Sequence, residues 1–339
     1  MEIKIKIKEI LNSFVHKYDD PKTLDEEIDK IQKRYEKIVG SFILGVLLQL
    51  RQRVDKEWLG KLILNSNYIS IIFDSIFNAE YLKLRLNGLS IILYDLSIEA
   101  GNIYAKHAGE KLKALNSVKG GVKFNPQNPQ LIKQILENTD KIIDNIISNI
   151  EKATKYSIVN NFAEIVDGEN YYPRELNLDD VPYDIFDKDK IVTKLNLVVV
   201  GIIVGIGLNL KQAKEMTRIR LALQDLGDNP KAYEKAIEDI STTKLKSATE
   251  AIGITETDDM INDVIKMHIK ELIDLGILKE YTIMKQFITA GDDRVCPTCN
   301  AMDQEVTTMD GMFSGGVSEP PVHPRCRCYI VYTDYLEVM

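Results

Sequence analysis

All four cysteines of this chain lie between residues 296 and 328, and residues 1–295 contain none. They form two groups, Cys296-Pro-Thr-Cys299 and Cys326-Arg-Cys328, and His323 stands three residues before Cys326. Clustering of every thiol beside a histidine indicates that one local structure requires them together. That structure constrains how the two segments carrying these side chains fold against each other.

A metal ion held by sulfur and imidazole is the simplest such structure. Two cysteines with two residues between them can hold one tetrahedral ion from a tight turn, and His323 and Cys326 repeat that spacing. Cys328 adds a fifth candidate for four positions and would share a face with Cys326 on a strand. Two ligand sets stay open: Cys296 and Cys299 with His323 and Cys326, or all four cysteines with His323 hydrogen-bonded to a ligand.

Zinc suits either set, because thiolate and imidazole ligands select it. We predict one structural Zn²⁺ per chain, since five candidate ligands favour a closed site. Disulfides, with three possible pairings, and reduced unpaired thiols are the alternatives. Residues 1–8 alternate charge and isoleucine without the apolar segment of a secretory signal. A cytosolic origin would favour metal-bound thiolates over disulfides.

No catalytic residue is predicted. No glutamate stands beside a candidate ligand in the arrangement of a metal hydrolase or deaminase. Asp292, Asp293 and Arg294 precede the first cysteine, and we expect a capping or ion-pair role for them because no nucleophile or general base accompanies them. The remaining histidines stand apart from any cysteine and are expected to be surface or satisfied core residues: His16, His107 and His268.

The cysteine segments also carry a family resemblance. The run Phe287-Ile-Thr-Ala-Gly-Asp-Asp-Arg-Val-Cys-Pro-Thr-Cys299, followed by Ala301-Met-Asp-Gln304 and Pro320-Pro-Val-His-Pro-Arg-Cys-Arg-Cys328, resembles the C-terminal signature of the Mu F-like phage head morphogenesis proteins, or minor head proteins. The departure is Met302-Asp303-Gln304, where the family usually has Asp-Gly. Gly311–Gly316 adds a flexible insertion to the connecting loop.

This resemblance implies a structural minor head protein of a phage, an archaeal virus or a prophage. It implies head assembly at the portal vertex, extending to DNA packaging or ejection, with the portal protein and other head or capsid proteins as partners. The expected location is the virion, in the head interior or at the portal vertex, and the host cytoplasm during assembly. The family is not established as enzymatic, so we expect no enzyme. The alternative is a toxin or enzyme that carries a Mu F-like packaging domain.

Charge and hydropathy limit the other partners. The formal net charge is −8, which excludes a general nucleic-acid binder and leaves only local contact with packaged DNA. Leu195–Leu210 is the most apolar stretch, but it is shorter than the roughly 20 residues of a membrane span. We expect a buried core helix there and no membrane partner, with a membrane-active DNA ejection protein as the alternative. Gly201 and Gly205 would allow close helix approach.

The fold class predicted is mainly α-helical with a small C-terminal α+β zinc-knuckle-like unit. Apolar residues recur at helical spacing through most of the chain. Leu131 to Val166 predicts a long amphipathic helix, which packs on its own chain or forms an oligomer contact. Five segments are predicted: an N-terminal helical region (1–118), a break and long helix (119–166), an acidic linker (167–190), a helical region (191–280) and the Cys/His motif (281–339).

Two details of the C-terminal region can be tested directly. Asp258 or Asp259 is predicted to cap a last helix that ends at Leu275, with Gly276 as its stop. Tyr281–Thr289 and Cys328–Thr333 are predicted to form two paired strands, with the metal clamping their loop ends.

Overall fold

The computed structural model describes residues 23–112, 115, 118, 122–162 and 188–334. Helices dominate this part of the chain, as predicted. They are α1 (Leu24–Gln52), α2 (Lys56–Asn65), α3 (Ile69–Ile76), α4 (Ala79–Leu86), α5 (Leu89–Lys111), α6 (Pro129–Phe162), α7 (Lys188–Gly205), α8 (Leu210–Ala222), α9 (Pro230–Asp274) and α10 (Pro297–Ala301). Three short strands follow α9: β1 (Ile283–Ile288), β2 (Val306–Thr308) and β3 (Tyr329–Asp334).

The described chain forms two compact units, each assembled from separate stretches of sequence. One unit contains the residues up to Ser41, Gly88–Lys141 and those from Glu250 onward. The other contains Phe42–Asn87 and Ile142–Thr249. Helices α1, α6 and α9 each contribute residues to both units. The division into five consecutive segments stays a prediction.

The long amphipathic helix predicted from Leu131 is α6. Pro129 occupies its first position, where a missing N–H costs nothing, and the Asn128 side chain accepts a hydrogen bond from the Gln130 amide at 3.0 Å. Its apolar stripe is buried, as at Ile135, Ile143 and Ile150. The helix is described to Phe162, and residues 163–166 of the prediction lie outside the described residues.

The apolar stretch Leu195–Leu210 forms a core helix, as predicted, only as far as Gly205, where α7 ends. Ile206–Asn209 form a turn and Leu210 begins α8. The valines and isoleucines of the stretch are buried. The carbonyl groups at its C-terminal end accept hydrogen bonds from the buried Arg51 guanidinium, at 2.9 Å for Val204 and 2.6 Å for Ile206. Among the described helices, none is long and apolar enough to cross a membrane.

The two α7 glycines permit a close approach to α6. A Cβ added at Gly201 would overlap the Asn161 side chain, and one at Gly205 would overlap Ser157. The close helix approach predicted from the Gly-x-x-x-Gly spacing therefore occurs between α7 and α6 of the same chain.

The predicted helix start at Asp258 or Asp259 is wrong, because α9 runs without interruption from Pro230 to Asp274. Asp258 is instead fully buried in the helix interior, where it accepts a hydrogen bond from Gln32 Nε2 at 2.9 Å. Aspartate often begins a helix, but here tertiary contacts hold Asp258 in the interior of one. The helix does end as predicted, and Gly276 follows it at φ +71°.

The predicted strand pair is confirmed, and a third strand accompanies it. β1 is central in the order β2-β1-β3, and both pairings are antiparallel. The register with β3 runs from Ile283 opposite Asp334 to Ile288 opposite Tyr329. Alternate residues of β1 are buried, so one face of the sheet is covered.

Candidate metal centre

The first Cys-x-x-Cys pair forms a turn that opens α10. Cys296 is the residue before the helix, Pro297 occupies its first position, and the Cys299 amide donates to Cys296 Sγ at 3.3 Å. The Asn300 amide also donates to the Cys296 carbonyl at 2.9 Å. This turn brings both sulfur atoms to one side of the backbone.

The segment His323–Cys326 forms a second turn. The Cys326 amide donates to the His323 carbonyl at 3.1 Å, and Arg325 adopts a left-handed φ of +65°. The Arg325 amide donates to Thr255 Oγ1 on α9 at 3.0 Å, which fixes the turn to the helix. A left-handed non-glycine residue is uncommon, so these contacts hold the turn in a geometry the residue type does not favour.

The two turns face each other and bring the five predicted ligands together. His323 Nε2 lies 3.1 Å from Cys296 Sγ and 3.3 Å from Cys299 Sγ, and Cys299 Sγ lies 3.9 Å from Cys326 Sγ. Potential metal ligands therefore form two overlapping triads that share Cys299. One also contains Cys296 and His323, and the other also contains Cys326 and Cys328.

One pair of donors has the spacing of a tetrahedral zinc site, although no four of the five donor atoms all lie within 4.8 Å of one another. Sulfur atoms around a zinc ion at a Zn–S distance of about 2.3 Å lie about 3.8 Å apart, close to the Cys299–Cys326 separation. His323 Nδ1 lies 2.9 Å from the Pro324 carbonyl oxygen. This carbonyl can only accept, so Nδ1 carries the proton and Nε2 presents a lone pair to the thiols. All four cysteines have free thiols.

Burial and the contacts between the sulfur atoms give the thiols different pKa values. Burial is the largest cause that raises the pKa of Cys299 to about 12. A hydrogen bond from the Cys328 thiol, acting against burial, lowers the pKa of Cys326 to about 5. The side-chain hydrogen bond with Cys326, together with burial, raises the pKa of Cys328. Neighbouring thiolates repel each other, and a bound cation would allow several of them to ionise together.

The residues before the first turn form an ion-pair network, as predicted for Asp292 and Arg294. Asp292 accepts hydrogen bonds from the Arg294 backbone and guanidinium at 3.0 Å and from Arg327 Nη2 at 2.5 Å. Burial raises the pKa of Asp292, but these hydrogen bonds outweigh it and the pKa is lowered. Arg327 is only 7 % exposed. It therefore ties the two cysteine segments together instead of presenting charge to a partner.

Sequence reasoning missed two polar residues of α9 that position the second cysteine segment. Besides Thr255, Asn262 donates to the Cys328 carbonyl at 3.2 Å and accepts from the Ile330 amide at 2.8 Å. No spacing signal marks these residues, because their partners lie about 70 positions further along the chain. Asparagine and threonine inside a long helix are the only hint the sequence offers.

The other histidines do not join the centre. His107 is buried, with Nδ1 at 2.9 Å from Glu110 Oε1 and Nε2 at 3.3 Å from Glu27 Oε1. His268 is buried on α9, and His16 lies outside the described residues. Neither His107 nor His268 belongs to the two ligand triads of the described chain.

Fold and site together define a helical protein with a C-terminal Cys/His unit of the knuckle type. A family model described as Phage Mu protein F like protein matches residues 216–331. The match covers about a third of the chain, from within α8 to within β3, and includes all five predicted ligands. It confirms the resemblance for the C-terminal region. Comparison with curated proteins and with solved structures finds no match.

Proposed function

We propose that this chain is a structural minor head protein of a phage, archaeal virus or prophage. The observation that carries the proposal is the family match over residues 216–331, which contains the complete Cys/His cluster. The role proposed is head assembly at the portal vertex, with the portal protein and other capsid proteins as partners. The protein would reside in the head interior or at the portal vertex, after assembly in the host cytoplasm.

We propose that the Cys/His cluster binds one structural Zn²⁺. Four protein donors close a tetrahedral site and leave no position for substrate or water, so no catalytic step is assigned to it. The stretch that joins the two turns contains the three-residue strand β2 and otherwise mostly irregular backbone. A metal ion stabilises such units where apolar burial is small. The ion would hold the C-terminal unit in the form that its partners recognise.

The proposed ligands are Cys296, Cys299, His323 and Cys326. The first two and His323 form one triad, and Cys326 lies 3.9 Å from Cys299. The two turns then contribute two ligands each, with the same spacing. Cys328 remains in the hydrogen-bonded surroundings of the centre, where its thiol can donate to the Cys326 sulfur.

Elemental analysis and a free-thiol count on protein purified without chelator test the metal. We expect about one zinc per chain and no disulfide. His323→Ala should weaken zinc binding, whereas Cys328→Ser should retain the ion. Loss of zinc from Cys328→Ser with retention in His323→Ala would establish the four-cysteine site instead. Absence of metal together with oxidised cysteines would contradict the zinc proposal.

The head-assembly role is tested by the particles made by the virus or prophage that encodes the chain. We expect purified heads to contain the protein, and a tagged copy to co-purify with the portal protein from lysates of producing cells. Cys299→Ser, which removes the shared ligand, should reduce that co-purification. Recovery of the protein only in tail fractions, or its absence from heads, would refute the role.

A further inference from the structure

A surface cavity of about 300 Å³ is lined by residues from the ends of α1 and α3 and from the start of α2. Its apolar lining consists of the buried side chains of Leu50, Val54 and Ile76. Trp58 also lines the cavity and is 42 % exposed, and the exposed Asp74 lies on the same wall list of side chains that face it. All of these residues belong to one compact unit. The cavity therefore combines an apolar interior, an accessible aromatic ring and negative charge, and its volume suits one side chain.

The two carboxylates that line the cavity differ in what they already bind. Asp55 precedes α2, and its Oδ1 accepts a hydrogen bond from the Trp58 amide at 2.7 Å. Asp74 lies in the last turn of α3, which contains no basic residue, and its side chain has no ion-pair or hydrogen-bond partner within the described part of the chain. A helix C-terminus carries partial negative charge, so a carboxylate there is unfavourable unless a cation neutralises it. Asp74 therefore lies where a cation would be stabilised.

The end of α1 adds to this negative potential. This helix of 29 residues ends at Gln52, next to residues that line the cavity. The basic residue of its last turn, Arg51, is buried and donates to backbone carbonyls at the end of α7. Arg53 is the only basic residue that lines the cavity, and its guanidinium carbon lies 3.8 Å from the ring centroid of Tyr81. That cation–π contact engages Arg53, whereas Asp74 keeps its charge available to a ligand.

We propose that this cavity binds an arginine side chain of a partner protein. The guanidinium group stacks on the Trp58 indole and donates hydrogen bonds to the Asp74 carboxylate, while the aliphatic stem contacts the apolar lining. Arginine is favoured over lysine because its planar group can stack on a ring and bond a carboxylate through two N–H groups. The two carboxylates disfavour an acidic side chain or a phosphate. This contact does not depend on the proposed metal, since the cavity and the Cys/His cluster belong to different units.

Trp58 is the only tryptophan of the chain, so its fluorescence reports directly on the cavity. The probe is N-acetyl-arginine methylamide, titrated into the full chain at constant ionic strength. The comparison compound is N-acetyl-citrulline methylamide, which has nearly the same shape and no charge. We expect a saturable fluorescence change with the arginine compound, with a Kd on the order of 1–10 mM. The citrulline compound should bind at least about tenfold more weakly, because it lacks the charge-assisted hydrogen bonds.

Asp74→Asn tests the carboxylate, and Glu57→Gln is its matched control. Both substitutions remove one exposed negative charge, but Glu57 does not line the cavity. We expect at least about fivefold weaker binding of the arginine compound by Asp74→Asn and native binding by Glu57→Gln. The Tm of Asp74→Asn should equal or exceed that of the native chain, because the substitution removes a negative charge from the end of α3. Thermal denaturation therefore separates a lost contact from a lost fold.

Three results would overturn the proposal. The first is the absence of a saturable fluorescence change when the arginine compound is added to the native chain. The second is equal binding of the arginine and citrulline compounds, or equal binding of the arginine compound by the native chain and a folded Asp74→Asn. The third is tighter binding of N-acetyl-aspartate methylamide than of the arginine compound, which would assign the cavity to an anion held by Arg53.

Discussion

The side-chain amide of Asn262 holds the cysteine segment to α9. It bonds to three backbone groups: the Asp258 carbonyl, the Cys328 carbonyl and the Ile330 amide. We expect Asn262→Ala to lower the free energy of unfolding by about 2–4 kcal/mol, because the buried Cys328 and Ile330 groups lose their partner. Urea denaturation followed by circular dichroism measures this.

Lys270→Ala is the control for Asn262, because Lys270 is an exposed residue of the same helix. Its effect should stay within about 0.5 kcal/mol. Equal stability of Asn262→Ala and this control would show that the amide contacts do not anchor the segment.

Glu256 gives the folded protein a pH-dependent stability. Burial, with a smaller contribution from Asp259, raises the pKa of Glu256 from its ordinary value of 4.5 to about 7. A raised carboxyl pKa favours the folded state at low pH, and this advantage is lost as pH rises through 7. We therefore expect Glu256→Gln to stabilise the protein by about 2–3 kcal/mol at pH 8 and by less than about 1 kcal/mol at pH 5. Denaturation at the two pH values measures the difference.

Glu250→Gln supplies the comparison for Glu256, since Glu250 occupies an exposed position of the same helix. Its effect should be below about 0.5 kcal/mol at both pH values. A Glu256→Gln effect that does not change between pH 5 and pH 8 would rule out the raised pKa.

At the scale of helices, two interior glycines should respond to the same substitution with opposite signs. A Cβ at Gly253 of α9 would lie 2.8 Å from the Gly40 amide nitrogen of α1 and would overlap the Glu36 carbonyl. A Cβ at Gly45 of α1 would have nothing within 4 Å. We expect Gly253→Ala to destabilise by about 1–3 kcal/mol through overpacking. Gly45→Ala should stabilise by about 0.5–1 kcal/mol through helix propensity.

Thermal denaturation of the two glycine variants side by side tests this packing. The two substitutions are chemically identical, so propensity alone would give both the same sign. A stabilising Gly253→Ala would mean that α1 and α9 do not approach as closely as described.

The same helix shows where prediction from the sequence stops. Helical periodicity located most helices, and alternation located β1 and β3. The continuity of α9 was missed because Gly253 and Asp258 are residue types that often end or begin helices. Their actual roles depend on α1, which lies more than 200 positions away in sequence. Strand β2 has only three residues, which is too few for an alternating pattern to be recognised in the sequence.

The candidate site was predictable for a different reason. Thiolate and imidazole are typical zinc ligands, so Cys and His residues at close spacing mark a candidate site in the sequence. Positioning residues such as Thr255 and Asn262 are ordinary helix-interior polar residues, and their partners are backbone atoms that carry no sequence signature. For His268, the sequence showed an isolated histidine, and only the fold showed that it is buried without a hydrogen-bond partner for either nitrogen among the described residues.

At the scale of the whole molecule, the proposed metal should stabilise one unit selectively. Structural zinc contributes on the order of 10 kcal/mol to folding in small zinc-dependent units. We expect chelation to abolish amide protection over β1 and β3 and to reduce it near Asn262, which bonds to the cysteine segment. The apolar core of α7 belongs to the other unit and should keep its protection. Hydrogen exchange with mass spectrometry measures both regions in one sample.

The Cys299→Ser variant tests the same expectation without a chelator. It removes the ligand shared by both triads and should reproduce the loss of protection in β1 and β3. Cys328→Ser is its matched control, and under the proposed ligand set it should keep the native pattern. Selective loss in the C-terminal unit would assign the ion a folding role there. Unchanged protection in a metal-free sample would show that the unit folds on side-chain packing and hydrogen bonds alone.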